Sequence, residues 1–266
     1  MKNIVLFLIV FIITIHNLQG ANLNDEKYEM YRERLVAGAM VNTINYYMGS
    51  KDYTTMVIPY IDFESKNWTI RSDKGVLYRA VEDKNYVITF GAFYYVPRTS
   101  SMDAPEVFEG IDDAKFDVPL VSHNSYYIGK GFEFIFRLEQ SVLITSSQNY
   151  KTFITYNKKL NNKLFYEGSV GSTFASAGYI NNWFGISNEE LANNNYFNHT
   201  YEFNKSVGLF NVFTSHYLYY DFSYDCSLLF GVNIARLTGD VNNSPIVEKG
   251  SPIVGSYMVS FNYKFR

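Results

Sequence analysis

Cysteine is almost missing: Cys226 is the one cysteine in 266 residues, so no intramolecular disulfide framework can hold the fold together. A large exported domain built without disulfides fits bacterial export better than a eukaryotic secretory route. Proline is scarce, at six, and no proline-, serine- or charge-rich block interrupts the chain, which is therefore read as one domain. Charge is sparse too: 18% of residues are charged, the net charge is −3 and the basic residues are scattered, so the footprint that nucleic acid demands is absent and nucleic acid is not an expected partner. Beyond residue 15 no apolar run approaches the ~20 residues of a membrane-crossing helix. If the mature chain meets a bilayer it must cross as a closed barrel, because unpaired backbone groups find no partner in hydrocarbon.

The first twenty residues stand apart. Met1-Lys2-Asn3 precedes the unbroken apolar run Ile4 to Ile15, and Gly20-Ala21 offers small residues after it. This is the pattern of a secretory signal peptide over 1–20, with a mature domain over 21–266. No cysteine follows the junction, which argues against lipid attachment there.

Aromatic residues are plentiful instead, with 24 tyrosines and 22 phenylalanines, and aromatics favour strands. The last eleven residues show how they are arranged. Tyr257, Val259, Phe261, Tyr263 and Phe265 alternate with Ser256, Ser260, Asn262 and Lys264, with Met258 the one exception. A strand with one apolar face and one polar face needs lipid on one side and water on the other, which a barrel wall provides.

Earlier segments repeat the pattern. A charged lead (Asp25 to Arg34) precedes a first strand over Leu35 to Tyr47, which ends at Met48-Gly49-Ser50-Lys51-Asp52. Thr55 to Phe63 follows, with an internal Pro59 that implies a bulge or strand end. Trp68 to Val81 reads as one long strand or two short ones, and Tyr86 to Val96 as a strand of about ten residues. Phe116 to Ile128 and Phe132 to Val142 form a hairpin around Gly129-Lys130-Gly131. In its second arm Glu133, Arg137, Glu139 and Ser141 alternate with Phe132, Phe134, Phe136 and Leu138, and such a charged face can line a polar lumen. Glu167 and Asn233 join the candidate lumen residues from Leu164 to Phe174 and from Asp225 to Leu237. Between Asn181 and Asn204 alternation stops, and Ser187 with Glu190 fits a capping box, so a short helix is expected inside a long loop. The expected fold is an all-β antiparallel transmembrane barrel of about twelve strands (ten to twelve), its last strand closing against Leu35 to Thr43.

Pro97 to Lys115 is the longest early connection and carries Arg98, Asp103, Glu106, Glu109, Asp112 and Asp113. It reads either as a solvated loop or as a site for a divalent cation, although its spacing matches no EF-hand.

Several of these segments together resemble the MipA/OmpV family of Gram-negative outer-membrane proteins. Tyr47-Met48-Gly49-Ser50 is similar to the family's Tyr-x-Gly-Ser turn, Arg98 to Gly110 to its Gly-Arg loop, and Trp183-Phe184-Gly185-Ile186-Ser187 to its Tyr-Phe-Gly-Val-Ser segment. Arg236-Leu237-Thr238-Gly239-Asp240, Ser244-Pro245-Ile246-Val247 and the ending Tyr263-Lys264-Phe265 complete the resemblance. It implies an outer-membrane barrel surrounded by lipid and lipopolysaccharide, inserted by the barrel assembly machinery through its C-terminal strand (Tyr257, Phe261, Tyr263, Phe265). The family's namesake is described as a scaffold that brings a lytic transglycosylase to a murein synthase.

No catalytic motif and no cofactor signature accompanies these features. His123, His199 and His216 lack metal-ligand spacing, and no Gly-x-Ser-x-Gly elbow is present. Three functions follow as expectations: a non-enzymatic scaffold or envelope-maintenance protein, a narrow channel or small-molecule binder with Glu133, Arg137, Glu139 and Glu167 setting selectivity, and an outer-membrane hydrolase using His123 or His216 with a distant Ser and Asp.

Overall fold

In the computed structural model the described residues are 34–265 apart from 73, 96–104, 145, 198–202 and 205–206. The signal peptide, the charged lead up to Glu33, Val96, Arg98, Asp103 and Arg266 lie outside them.

Twelve antiparallel strands close into a barrel in which each strand pairs with its neighbours in sequence and β1 pairs with β12. They are β1 (Arg34–Asn45), β2 (Tyr53–Glu64), β3 (Trp68–Arg71), β4 (Gly75–Glu82), β5 (Tyr86–Ala92), β6 (Pro119–Gly129), β7 (Phe132–Ser141), β8 (Gln148–Lys159), β9 (Leu164–Ala175), β10 (Gly208–Asp221), β11 (Cys226–Leu237) and β12 (Ile253–Phe265). The closing ladder runs from Leu35 opposite Phe265 to Ile44 opposite Ser256, so neither terminal strand has a bare edge over that stretch.

Parity decides which side chain meets lipid. On β12, Tyr257, Val259, Phe261, Tyr263 and Phe265 are exposed on the outer wall, while Ser260 and Asn262 are buried inside. On β7, Phe132 and Phe134 are exposed outward while Glu133, Arg137 and Glu139 are buried. The turns after β2, β4, β6, β8 and β10 are short, whereas the connections after β5, β9 and β11 are long. Barrels of this kind place short turns in the periplasm and long loops outside the cell. At the short-turn end, exposed ring pairs mark the membrane interface: Trp68–Tyr78 at 5.0 Å, Phe132–Tyr156 at 4.6 Å, Phe222–Phe261 at 5.8 Å and Tyr263–Phe265 at 5.0 Å between centroids.

Four local expectations need correction. Pro59 lies inside β2, opposite Ala39 in an unbroken register with β1. Ile61, of the same parity, turns its backbone N–H and C=O toward Ser72 in the β3–β4 turn, so the Pro59 nitrogen faces the side on which β3 has already stopped, and no ladder donor is lost. For Trp68 to Val81, by contrast, one of the two readings left open is the one found: two short strands, the second starting at Gly75, whose φ is 89°. β5 stops at Ala92 rather than near Val96, after which Phe93 donates to the Pro119 carbonyl and Tyr95 bridges Asp117, which turns the Tyr95 side chain inward. β1 ends at Asn45, and β7 at Ser141 rather than Val142.

Among the described residues the long connections hold four short helices and a 3-10 turn: α1 (Pro105–Phe108), α2 (Ala177–Phe184), α3 (Asn188–Asn193), the 3-10 turn Gly239–Asn243 and α4 (Pro245–Lys249). The capping box on α3 forms, with Glu190 N–H donating to Ser187 Oγ at 3.2 Å and Ser187 N–H donating to Glu190 Oε2 at 2.7 Å. α2 was not expected. Its residues, Ala-Gly-Tyr-Ile-Asn-Asn-Trp-Phe, include glycine, asparagines and a β-branched residue, so burial of Tyr179, Ile180, Trp183 and Phe184 stabilises the helix where propensity does not.

Candidate functional site

The elements of the long-loop end converge on one apolar core. Tyr47 from the β1–β2 turn, Val107, Phe108, Ile111 and Ala114 from the β5–β6 connection, Ile180, Trp183, Phe184 and Ile186 from the β9–β10 connection, and Val241, Ile246 and Val247 from the last connection are all buried in it. Tyr47 meets Phe108 edge-on at 4.7 Å, and Phe184 meets Phe210 of β10 at 5.9 Å. The loops thus form a folded cap over the barrel mouth. The expectation of a wholly solvated loop after β5 is corrected: Glu109, Asp112 and Asp113 are exposed, but the apolar residues between them pack into the cap. Nothing is described of the Glu106 side chain.

Most of the residues that carried the family resemblance meet here. Gly49, at φ 101°, sits where a Cβ would approach Val247 Cγ2 at 3.2 Å and Phe184 Cε1 at 3.7 Å. Its carbonyl accepts from Ser251 N–H at 2.7 Å. Ser50 is buried, its carbonyl accepting from Asn45 Nδ2 at 2.8 Å, while Asn45 Oδ1 accepts from Gly255 N–H at 2.6 Å. Gly110, at φ 77°, packs so closely on Asn193 that a Cβ would lie 2.9 Å from its carbonyl oxygen. Gly185 caps α2, and Ser244 Oγ donates to the Phe184 carbonyl at 3.3 Å. Pro245 opens α4, Gly239 takes φ 57° at the start of the 3-10 turn, and Asp240 is exposed beside it. Arg236 departs from this group, being exposed on the outer wall of β11. Residues read as separate turn markers are therefore the joints of one cap.

Beneath the cap, the inner wall of β7 and β8 holds a buried carboxylate. Glu139 accepts from Arg137 Nε at 2.5 Å, Lys151 Nζ at 3.1 Å, Asn149 Nδ2 at 2.7 Å and the hydroxyl of Tyr95. Tyr95 reaches it from the loop after β5 and packs edge-on against Tyr179 and Trp183 of α2, at 6.3 and 6.2 Å. Arg137 also lies 5.9 Å from the Phe93 ring centre. Burial pushes the phenols of Tyr95 and Tyr179 well above the ordinary range, and the negative charge of Glu139 pushes in the same direction. One of the hydrogen bonds between cap and wall thus ends on a carboxylate that two cations neutralise.

Of the other candidate lumen residues, Glu133 is buried on the inner face of β7, Glu167 is half-buried on the inner face of β9, and Asn233 accepts from Tyr217 Oη at 2.8 Å and donates to Ser256 Oγ at 3.0 Å. Val36, Met40, Tyr60 and Leu229 pack together on the opposite inner wall, joined by Ile58, Tyr217, Tyr219 and Met258. Sequence reading missed Tyr95, Asn149 and Lys151. The alternation of Asn149 and Lys151 with Tyr150 carried the signal for β8, and the parity of the expected Tyr86 to Val96 strand, with Tyr94 on the outer face, carried it for Tyr95. A second buried ion pair, Arg79 with Glu64, lies near the short-turn end, where Glu64 Oε2 also accepts from Thr69 Oγ1 at 2.8 Å and Arg79 donates to the Lys66 carbonyl at 3.0 Å.

The two candidate catalytic histidines are on opposite sides of the wall. His123 faces inward, opposite Arg137 in the β6–β7 register. His216 is exposed on the outer face of β10, its Nδ1 2.7 Å from Tyr166 Oη and its Nε2 2.9 Å from Thr214 Oγ1.

A closed twelve-strand barrel with an apolar outer wall, ringed by aromatics and capped by its own long loops, is an outer-membrane β-barrel protein. The chain belongs to the MipA family: the family model described as MltA-interacting protein MipA matches residues 36–265. Comparison with curated protein sequences gives no match. Among solved structures the chain is similar to the NanC porin (12% identity, 87% of this chain and 100% of that one, TM-score 0.41). It is also similar to the CymD monoaromatic hydrocarbon channel (7% identity, 91% of each chain, TM-score 0.42) and to the N-terminal barrel of Pseudomonas aeruginosa OprF (9% identity, 68% of this chain and 96% of that one, TM-score 0.28).

Proposed function

We propose that this protein is a non-enzymatic scaffold of the outer membrane, holding murein-remodelling enzymes, a lytic transglycosylase and a murein synthase, at the periplasmic side. The observation that carries this reading is the cap. A barrel mouth closed by a folded apolar core, above a carboxylate neutralised by two cations and held by two further donors, is built for permanence rather than for passage. The description of the matching family, an MltA-interacting protein, supports the choice of partner. The separation of His123 and His216 across the wall, with both His216 nitrogens engaged, supports a non-enzymatic role.

Cross-linking in intact envelopes followed by affinity capture tests the proposal. Recovery of a murein-cleaving and a murein-synthesising enzyme is expected. Capture of the barrel assembly machinery alone would overturn it. The charged inner face of β7 favours a narrow channel as the second reading, which steady conductance of the purified protein in planar bilayers would establish.

A further inference from the structure

The β6–β7 and β8–β9 turns lie side by side at the short-turn end, tied by Asn157 N–H donating to the Gly131 carbonyl at 2.8 Å. Between them they carry Lys130, Lys158, Lys159 and Lys163, all exposed. The other short turns mix their charges: Lys84 sits with Glu82 and Asp83, and Lys264 bonds Asp221 at 2.6 Å. In a chain of net charge −3, four lysines in two adjoining turns are a local excess of positive charge. Lys130 is also held at φ 52° between Gly129 and Gly131, a left-handed conformation that suits glycine or asparagine better than lysine.

Their level in the membrane identifies the ligand. Phe132 and Tyr156 meet at a tilt, 4.6 Å between ring centroids, on the outer wall and mark the edge of the hydrocarbon. Lys130, two residues before Phe132, and Lys158, two residues after Tyr156, both lie roughly 7 Å beyond that pair toward the turns, which is where phosphate headgroups begin. A cationic patch at that level meets lipid phosphate before any soluble partner.

We propose that Lys130, Lys158, Lys159 and Lys163 form a binding site for the headgroup phosphates of anionic phospholipid in the periplasmic leaflet. Basic clusters at a membrane edge attract anionic lipid through each lysine in turn. The site holds lipid beside the two turns that would face a periplasmic partner.

Native mass spectrometry of the full chain, released from micelles doped with equal phosphatidylglycerol and phosphatidylcholine, tests the site. Wild type should retain phosphatidylglycerol preferentially, and the Lys130→Gln/Lys158→Gln/Lys159→Gln/Lys163→Gln variant should lose that preference by about tenfold or more. A Lys66→Gln/Lys84→Gln control should keep it, and unchanged heat-modifiability in all three proteins should confirm folding. Retained preference in the quadruple variant, no preference in wild type, or equal loss in the control would overturn the proposal. Enzyme capture from envelopes is read separately, so this site and the scaffold role can fail independently.

Discussion

The hydroxyl of Tyr95, in the loop after β5, donates to the carboxylate of Glu139 on the inner wall of β7, and this bond ties the cap to the barrel. Deleting either end has unequal consequences. Tyr95→Phe removes the bond to Glu139 and the longer one accepted from Asn149 Nδ2 at 3.3 Å, while Asn149 keeps its bond to Glu139, and should cost about 1–2 kcal/mol. Glu139→Gln leaves Arg137 and Lys151 without their shared counter-charge in a buried setting and should cost about 3–5 kcal/mol. Thermal unfolding in detergent should rank the variants in that order, and equal losses would refute the central place of Glu139.

The approach of the β1–β2 turn to the last connection is the tightest joint of the cap. A Cβ on Gly250 would lie 1.9 Å from the Gly49 carbonyl oxygen, and Gly49 itself is left-handed. Gly250→Ala and Gly49→Val should therefore loosen the cap while the wall, which neither residue joins, stays assembled. The expected result is a normal heat-modifiable band together with proteolytic nicking near α2 and α4. Loss of the band would show that the cap is needed for the wall to form.

Closure of the wall depends on the final strand. Removing Tyr263 to Arg266 deletes the pairs of Ala37 with Tyr263, Val36 with Lys264 and Leu35 with Phe265, along with exposed aromatics at the membrane edge. The truncated chain should fail to enter the outer membrane, as checked by fractionation and heat-modifiability. Normal assembly would contradict the role given to β12.

The cap should also have an alkaline limit. Tyr95 and Tyr179, outside the strands, have phenols raised by burial and then by Glu139. Because the folded values lie above the ordinary ~10, their contribution is complete below pH ~10 and is lost as pH rises through the folded values. Phenolate absorbance should show two late-ionising tyrosines, and increased proteolysis of 177–197 should accompany them. In Tyr95→Phe one of the two should vanish.

How much of this was legible follows from where periodicity acts. Alternation along β7 and β12 is a direct record of lipid on one side, so the faces of Glu133, Arg137, Phe261 and Phe265 could be read without a structure. The cap could not, because its contacts join residues far apart in the chain and leave no period. Ser-Pro-Ile-Val makes the point twice over. At Ser244 it opens α4 with Ile246 fully buried, and at Ser251 it leads into β12 with Ile253 half-exposed to lipid. Identical residues take their conformation from what lies beside them.

The half-paired β2 gives the wall an uneven clock. β2 spans twelve residues, yet it meets β3 through only Asp62, Phe63 and Glu64. From Pro59 outward, that flank has no strand partner among the described residues, whereas the other flank is laddered to β1 throughout. Amide hydrogens at Thr55 and Val57, which share the parity of Ile61, should exchange with solvent deuterium long before those on the closing ladder of β1 with β12. A fault in the wall would therefore start at this flank and travel away from the terminal strands.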